Sequence, residues 1–79
     1  MLITLRVKAA ESVIITTPSI RLEAFLKFCG AVESGGQAKV HIVGGELRVN
    51  GELCTQRGRQ LRPGDRVTGL GGAWQVVAA

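Results

Sequence analysis

The chain has no tyrosine, one tryptophan and two phenylalanines. Three rings are too few for a row of base-stacking platforms, which need exposed aromatics. A single histidine and two distant cysteines, Cys29 and Cys54, offer no zinc-ligand spacing and no CxxC pair. The same scarcity leaves no nucleophile–base set among scattered carboxylates, so no enzyme activity, metal or cofactor is expected. The two cysteines read as small buried thiols in a reducing compartment, with a disulfide or a reactive thiol as the alternatives. No apolar run approaches the ~20 residues of a membrane helix. The opening MLITLRVKAA places Arg6 and Lys8 after a short apolar run, the wrong order and length for a secretory signal. A cytoplasmic protein with no membrane partner is expected.

What is present is a small apolar chain with surplus positive charge. Its 79 residues suit a single domain, and 46% apolar content is too high for disorder. The net charge of +4 suits a polyanionic partner without requiring one. Distribution says more. Residues 1–33 carry Arg6, Lys8, Arg21 and Lys27 against Glu11, Glu23 and Glu33, a net +1. From Thr55 to Arg66 four arginines face only Asp65, a net +3.

Residues 2–7 (LITLRV) and 12–17 (SVIITT) are short and β-branched and read as a pair of strands joined by KAAE. Pro18 suits the first turn of a helix, with Thr17 or Ser19 as its cap. Leu22, Phe25, Leu26 and Cys29 then recur at helical spacing, and Gly30 is placed to end that helix in a left-handed conformation. Ser34-Gly35-Gly36-Gln37 has capping-box spacing, in which the serine oxygen accepts from the Gln37 amide and the Gln37 side chain returns the bond. A second helix through AKVHIV, ended by Gly44 or Gly45, follows, although VHIV by propensity alone could be a strand. On that helix Ala38, His41 and Ile42 share one face, with Lys39, Val40 and Val43 away from it.

Asn50-Gly51 tolerates positive φ at both positions and predicts a type I′ hairpin between Leu47–Val49 and Glu52–Leu53. In that register Arg48 and Glu52 are not partners. QRGRQL over 56–61 has no period and reads as an exposed loop. Pro63-Gly64 predicts a type II turn, Arg66-Val67-Thr68 a strand, Gly69 to Gly72 another turn, and 73–77 a last strand.

The joint order of Phe25-Leu26-Lys27, Ser34-Gly35-Gly36-Gln37-Ala38-Lys39, Val49-Asn50-Gly51, Gln56-Arg57-Gly58-Arg59-Gln60 and Leu61-Arg62-Pro63-Gly64-Asp65 resembles the RNA-binding domain first named from ribosomal protein S4, also called the alpha-L motif. The likeness is to its short stand-alone bacterial members and covers residues 19–68, within one S4-like domain over 1–79. It implies an α+β fold, two helices packed on a small, mainly antiparallel sheet, here with an added N-terminal strand pair. It also implies a non-catalytic protein that binds structured RNA, ribosomal or transfer, through phosphate and shape. Carried over by position, the implied contacts are Arg21 and Lys27 on the first helix, Ser34, Gly35, Gln37 and Lys39 on the second, and Arg57, Arg59 and Arg62 in the loop. His41 stands where the family has an apolar residue, and Gln56 where related short members have arginine. With no room for a catalytic domain, such a protein is expected to be a monomer, associated with the ribosome, acting alone or as an adaptor to a protein partner.

Each feature also has a plainer reading. The SGGQ start is a helix cap, or a cap and an anion site. Without the resemblance, the arginine loop is as readily a solvated surface. His41 is a satisfied, partly buried histidine before it is a ligand. The competing function is a ubiquitin-like sulfur carrier, which shares the NGE hairpin and the late GD-R-V strand. It requires a C-terminal Gly-Gly, whereas this chain reads Val76-Val77-Ala78-Ala79 at its end and keeps Gly71-Gly72 internal.

Overall fold

A computed structural model describes residues 10–79. Within them the strands are β1 (Glu11–Ile15), β2 (Ile20–Arg21), β3 (Leu47–Val49), β4 (Glu52–Leu53), β5 (Gln60–Leu61), β6 (Arg66–Gly69) and β7 (Gly72–Ala78). The helices are α1 (Leu22–Phe28) and α2 (Gly35–Val43), both between β2 and β3. Five strands form a sheet in the order β1-β7-β6-β3-β4, and β2 pairs with β5 in a separate ribbon. All pairs are antiparallel except β1 with β7, which runs parallel from Glu11↔Trp74 to Ile15↔Ala78. The result is the α+β, mainly antiparallel architecture that the motifs imply. The expected strand over 2–7 lies outside the described residues, and with it one half of the N-terminal pair. The other half is β1, whose described partner is the last strand.

The core forms where the helical stripe meets the inward residues of the strands. Leu22, Phe25 and Leu26 of α1 and Ala38 and Ile42 of α2 are buried with Leu47, Val49, Leu61, Val67, Trp74 and Val76. Lys39, Val40 and Val43 lie on the exposed side of α2 and His41 at its edge, as its periodicity predicts. In the hairpin Leu47 and Val49 point inward, but Leu53 is 55% exposed. Leu53 faces Arg48 across the ladder, and Val49 faces Glu52, so Leu53 falls on the outer face with its partner.

Both helices end as glycine placement predicts. Gly30 (φ +80°) lets the Ala31 amide reach the Leu26 carbonyl at 2.9 Å, and Gly45 (φ +79°) lets Glu46 reach His41 at 3.1 Å. Their starts differ. Ser34 Oγ accepts from the Gln37 amide at 3.2 Å, but the Gln37 side chain accepts from Glu33 rather than from Ser34. The reciprocal half of the capping box is shifted one residue outward.

The start of α1 corrects the expectation. Pro18 precedes a short extended segment instead of opening the helix, and Thr17 Oγ1 donates to the Ser19 carbonyl. The N-cap is Arg21, in extended conformation with no side-chain capping bond. Arg21 therefore stands before the helix, on β2. The reason is β5, which pairs Leu61 with Ile20 and Gln60 with Arg21 and keeps this segment extended. The exposed loop expected over 56–61 accordingly ends as a strand, with Leu61 fully buried.

Leu26 has no exposed surface. Leu26→Ala is expected to lower unfolding free energy by roughly 2–5 kcal/mol in denaturant titration. An unchanged transition midpoint would place this side chain outside the core.

Candidate nucleic-acid interface

The arginine loop is held by its main chain. The Leu22 amide donates to the Arg59 carbonyl at 2.8 Å and the Glu23 amide to the Arg57 carbonyl at 3.1 Å. The first turn of α1, which has no side-chain cap, is thus satisfied by the loop itself. With its carbonyls turned to the helix and β5 pairing just beyond, the segment has a set course while its arginine side chains stay exposed.

Charge around this junction is unevenly compensated. Glu23 Oε1 lies 3.7 Å from Arg21 Nη1, and Glu23 Oε2 lies 4.0 Å from Arg57 Nε. Among the described residues, the side chains of Lys27, Lys39, Arg59 and Arg62 make no ion pair or hydrogen bond. Four exposed cations held in no direct ion pair, with Asp65 acting on Arg59 and Arg62 only from beyond pairing distance, are suited to exchanging condensed ions for phosphates.

The start of α2 supplies a different kind of contact. Gln37 and Ala38 donate their amides to Ser34, through its side chain and carbonyl respectively. Gly35 and Gly36 form the exposed tip. Neither has positive φ, and a Cβ would meet nothing within 4 Å at Gly35 and only Ser34 Oγ at 3.8 Å at Gly36. Neither backbone nor packing requires glycine here, although glycine weakens a helix. What two bare positions provide is close approach of another backbone to an amide-rich helix end.

The opposite end of the loop is anchored by two turns bonded to each other. Asn50 (φ +52°) and Gly51 (φ +83°) form the hairpin turn, and Gly64 (φ +101°) completes the Pro63-Gly64 turn. Asp65 accepts from the Arg62 amide at 2.8 Å and from the Asn50 side chain at 3.0 Å. Asn50 Oδ1 in turn accepts from the Arg66 amide at 2.9 Å. Partial burial works to raise the Asp65 pKa. The Arg62 amide, the Asn50 side chain and the charges of Arg59 and Arg62 outweigh it and hold the group below its ordinary value.

Residues 13–77 match the family model of the S4 domain. The chain belongs to the S4-domain family. It is 42% identical over 69 residues to the "Probable ribosome maturation protein RlbA" of Bacillus subtilis, covering 86% of this chain and 97% of that protein. YbcJ of Escherichia coli is 38% identical over 61 residues, 77% of this chain and 87% of YbcJ. The solution structure of E. coli YbcJ, described as showing an alpha-L motif involved in RNA binding, superposes with a TM-score of 0.69 at 31% identity and covers 98% of this chain and 99% of that one.

In this S4 domain the implied contact residues fall into two groups. Arg21, Arg57, Arg59 and Arg62 gather on or beside the docked loop, with Arg21 on β2 rather than on α1. Ser34, Gly35, Gln37 and Lys39 occupy the start and outer side of α2, and Lys27 the last turn of α1. Among the described residues no hydrogen bond or ion pair joins the two groups. Gln56, the position without the family's arginine, uses its carbonyl to accept from Cys54 Sγ and the Arg59 amide, so its main chain still shapes the loop. His41 is half-buried, with Nδ1 2.9 Å from Glu46 Oε2, a local tie across the end of α2. Both cysteines are free thiols, and burial pushes the Cys29 thiol up.

Sequence reasoning passed over Glu23 and Asp65 as features of this surface. Their spacing along the chain carries no signal that one reaches two arginines and the other ties two turns together.

Because the Asp65 pKa is lowered in the folded state, its contribution to stability is present above the unfolded-state value, about 3.9, and lost as pH falls through the folded value. Asp65→Asn is expected to cost on the order of 1 kcal/mol at neutral pH and to flatten the loss of stability on acidification. Parallel acid-unfolding curves for the two proteins would sink this assignment.

Proposed function

We propose that this S4 domain is a non-catalytic RNA-binding protein that recognises structured RNA through phosphate and shape. The observation that carries the reading is the docked arginine loop, whose backbone is spent on capping α1 while the exposed side chains of Arg59 and Arg62 enter no direct ion pair among the described residues. Arginine forks of this kind suit bidentate contact with phosphate. Arg21, Lys27, Lys39 and Arg57 extend the positive surface, and Ser34, Gly35 and Gln37 form the helix end for a close backbone approach.

The rings support shape over base reading. Phe25 and Trp74 are buried, and Phe28 alone is exposed, at 61%. One exposed ring does not make a stacking surface. The RNA class in this reading is ribosomal or transfer RNA, in keeping with a relative named for ribosome maturation and one described as carrying an RNA-binding motif. The protein acts as a single S4-like unit, a monomer in the cytoplasm, in association with the ribosome.

Binding to fragmented bacterial ribosomal RNA should fall steeply with salt. Arg59→Ala should lower the log–log slope by about one, and Arg57→Ala and Arg62→Ala should behave alike. A slope indifferent to all three would remove the loop from the site. Gly35→Ala should leave the melting temperature unchanged or raise stability by up to about 1 kcal/mol while weakening the same RNA complex. Unimpaired binding would make the helix start a cap and nothing more.

A further inference from the structure

Gly58 lies at the turn of the arginine loop, and its conformation does not ask for glycine. Its φ lies outside the positive region, so an L side chain fits the backbone. What occupies the space of a Cβ is Arg21, whose Nη2 would be 2.7 Å away and whose Cζ and Nε would each be 3.6 Å away. The guanidinium thus rests against bare main chain. On one side it faces Glu23, which also faces Arg57. The adjoining backbone is fixed by the Leu22–Arg59 and Glu23–Arg57 hydrogen bonds and by the Arg21↔Gln60 pairing. An added methyl group here would displace only the far end of a flexible side chain. The glycine therefore matters little for the fold and much for where that charge is held.

We propose that Gly58 is a positioning residue, seating the Arg21 guanidinium against the loop so that Arg21 and Arg57, on either side of Glu23, engage the RNA backbone as one two-pronged clamp. This rests on the RNA-binding reading above and adds to it the reason that β2 and the loop form one binding element. A long exposed arginine loses side-chain freedom on binding. Seating it beforehand lowers that cost, because the group already stands near its bound geometry.

The test is a double-mutant cycle of Gly58→Ala and Arg21→Ala on the whole chain, with fragmented bacterial ribosomal RNA in a salt titration and thermal melting in parallel. Gly58→Ala is expected to keep the melting temperature, weaken binding on the order of tenfold and reduce the salt slope by about one. Arg21→Ala should do the same, and the double variant should be no worse than either. Additive losses would show that Gly58 acts through the loop without Arg21, and would overturn the inference. So would a marked fall in melting temperature for Gly58→Ala, which would make the glycine a requirement of the fold. A wild-type chain that binds no RNA in this titration would defeat the functional reading itself. A wild type that binds while Gly58→Ala binds equally well would defeat the clamp alone.

Discussion

The start of α1 has no cap of its own, and much of the structure follows from that lack. A helix of seven residues leaves first-turn amides with no partner inside it. Arg21, at the N-cap, offers no side-chain acceptor to them. The carbonyls of Arg57 and Arg59 supply it from 34 and 37 residues further along the chain. The helix cannot keep its first turn satisfied without the loop, and the loop cannot leave without exposing those amides. Placing a binding loop and a helix end in mutual dependence gives a short chain a fixed basic surface without a large core beneath it.

The remaining anchors act in the same direction. β2 and β5 contribute two residue pairs, too few to form an independent ribbon. Their value is local, since they set the loop's exit and bury Leu61 beneath it. On the far side, Asp65 and Asn50 join the hairpin turn to the proline turn. The carboxylates of this surface thus shape a basic site more than they neutralise it. Glu23 sits between two arginines, and Asp65 binds main-chain and side-chain amides while two further arginines lower its pKa.

The start of α2 presents the opposite case. It is capped entirely by its neighbours in sequence, Ser34 at its N-cap and Gln37 reaching back to Glu33. Its glycines answer neither a strained turn nor a close contact within the protein. Positions that cost helix stability and serve nothing inside the fold are where contact from outside is to be sought.

Local chemistry was legible at most turns and helix ends, though not at the start of α1, where Pro18 and its neighbours pointed to a cap that the structure does not form. Asn50-Gly51 and Pro63-Gly64 announced their turns, Gly30 and Gly44-Gly45 their helix ends, Ser34 its cap, and the spacing of Leu22, Phe25 and Leu26 a buried face. In each case the deciding partner lies within a few residues, so the sequence by itself was sufficient. The family motifs likewise named the residues of the candidate interface. What only the tertiary structure decided is how those residues meet. That Arg21 is extended, that Gly58 is the seat of its guanidinium, that Glu23 faces both Arg21 and Arg57, and that 60–61 is a strand all depend on β5 returning to β2 across some 40 residues. No propensity or period records such a return. It is selected by burial of Leu61 and by the unpaired amides of α1, which exist as constraints only once the chain has closed upon itself.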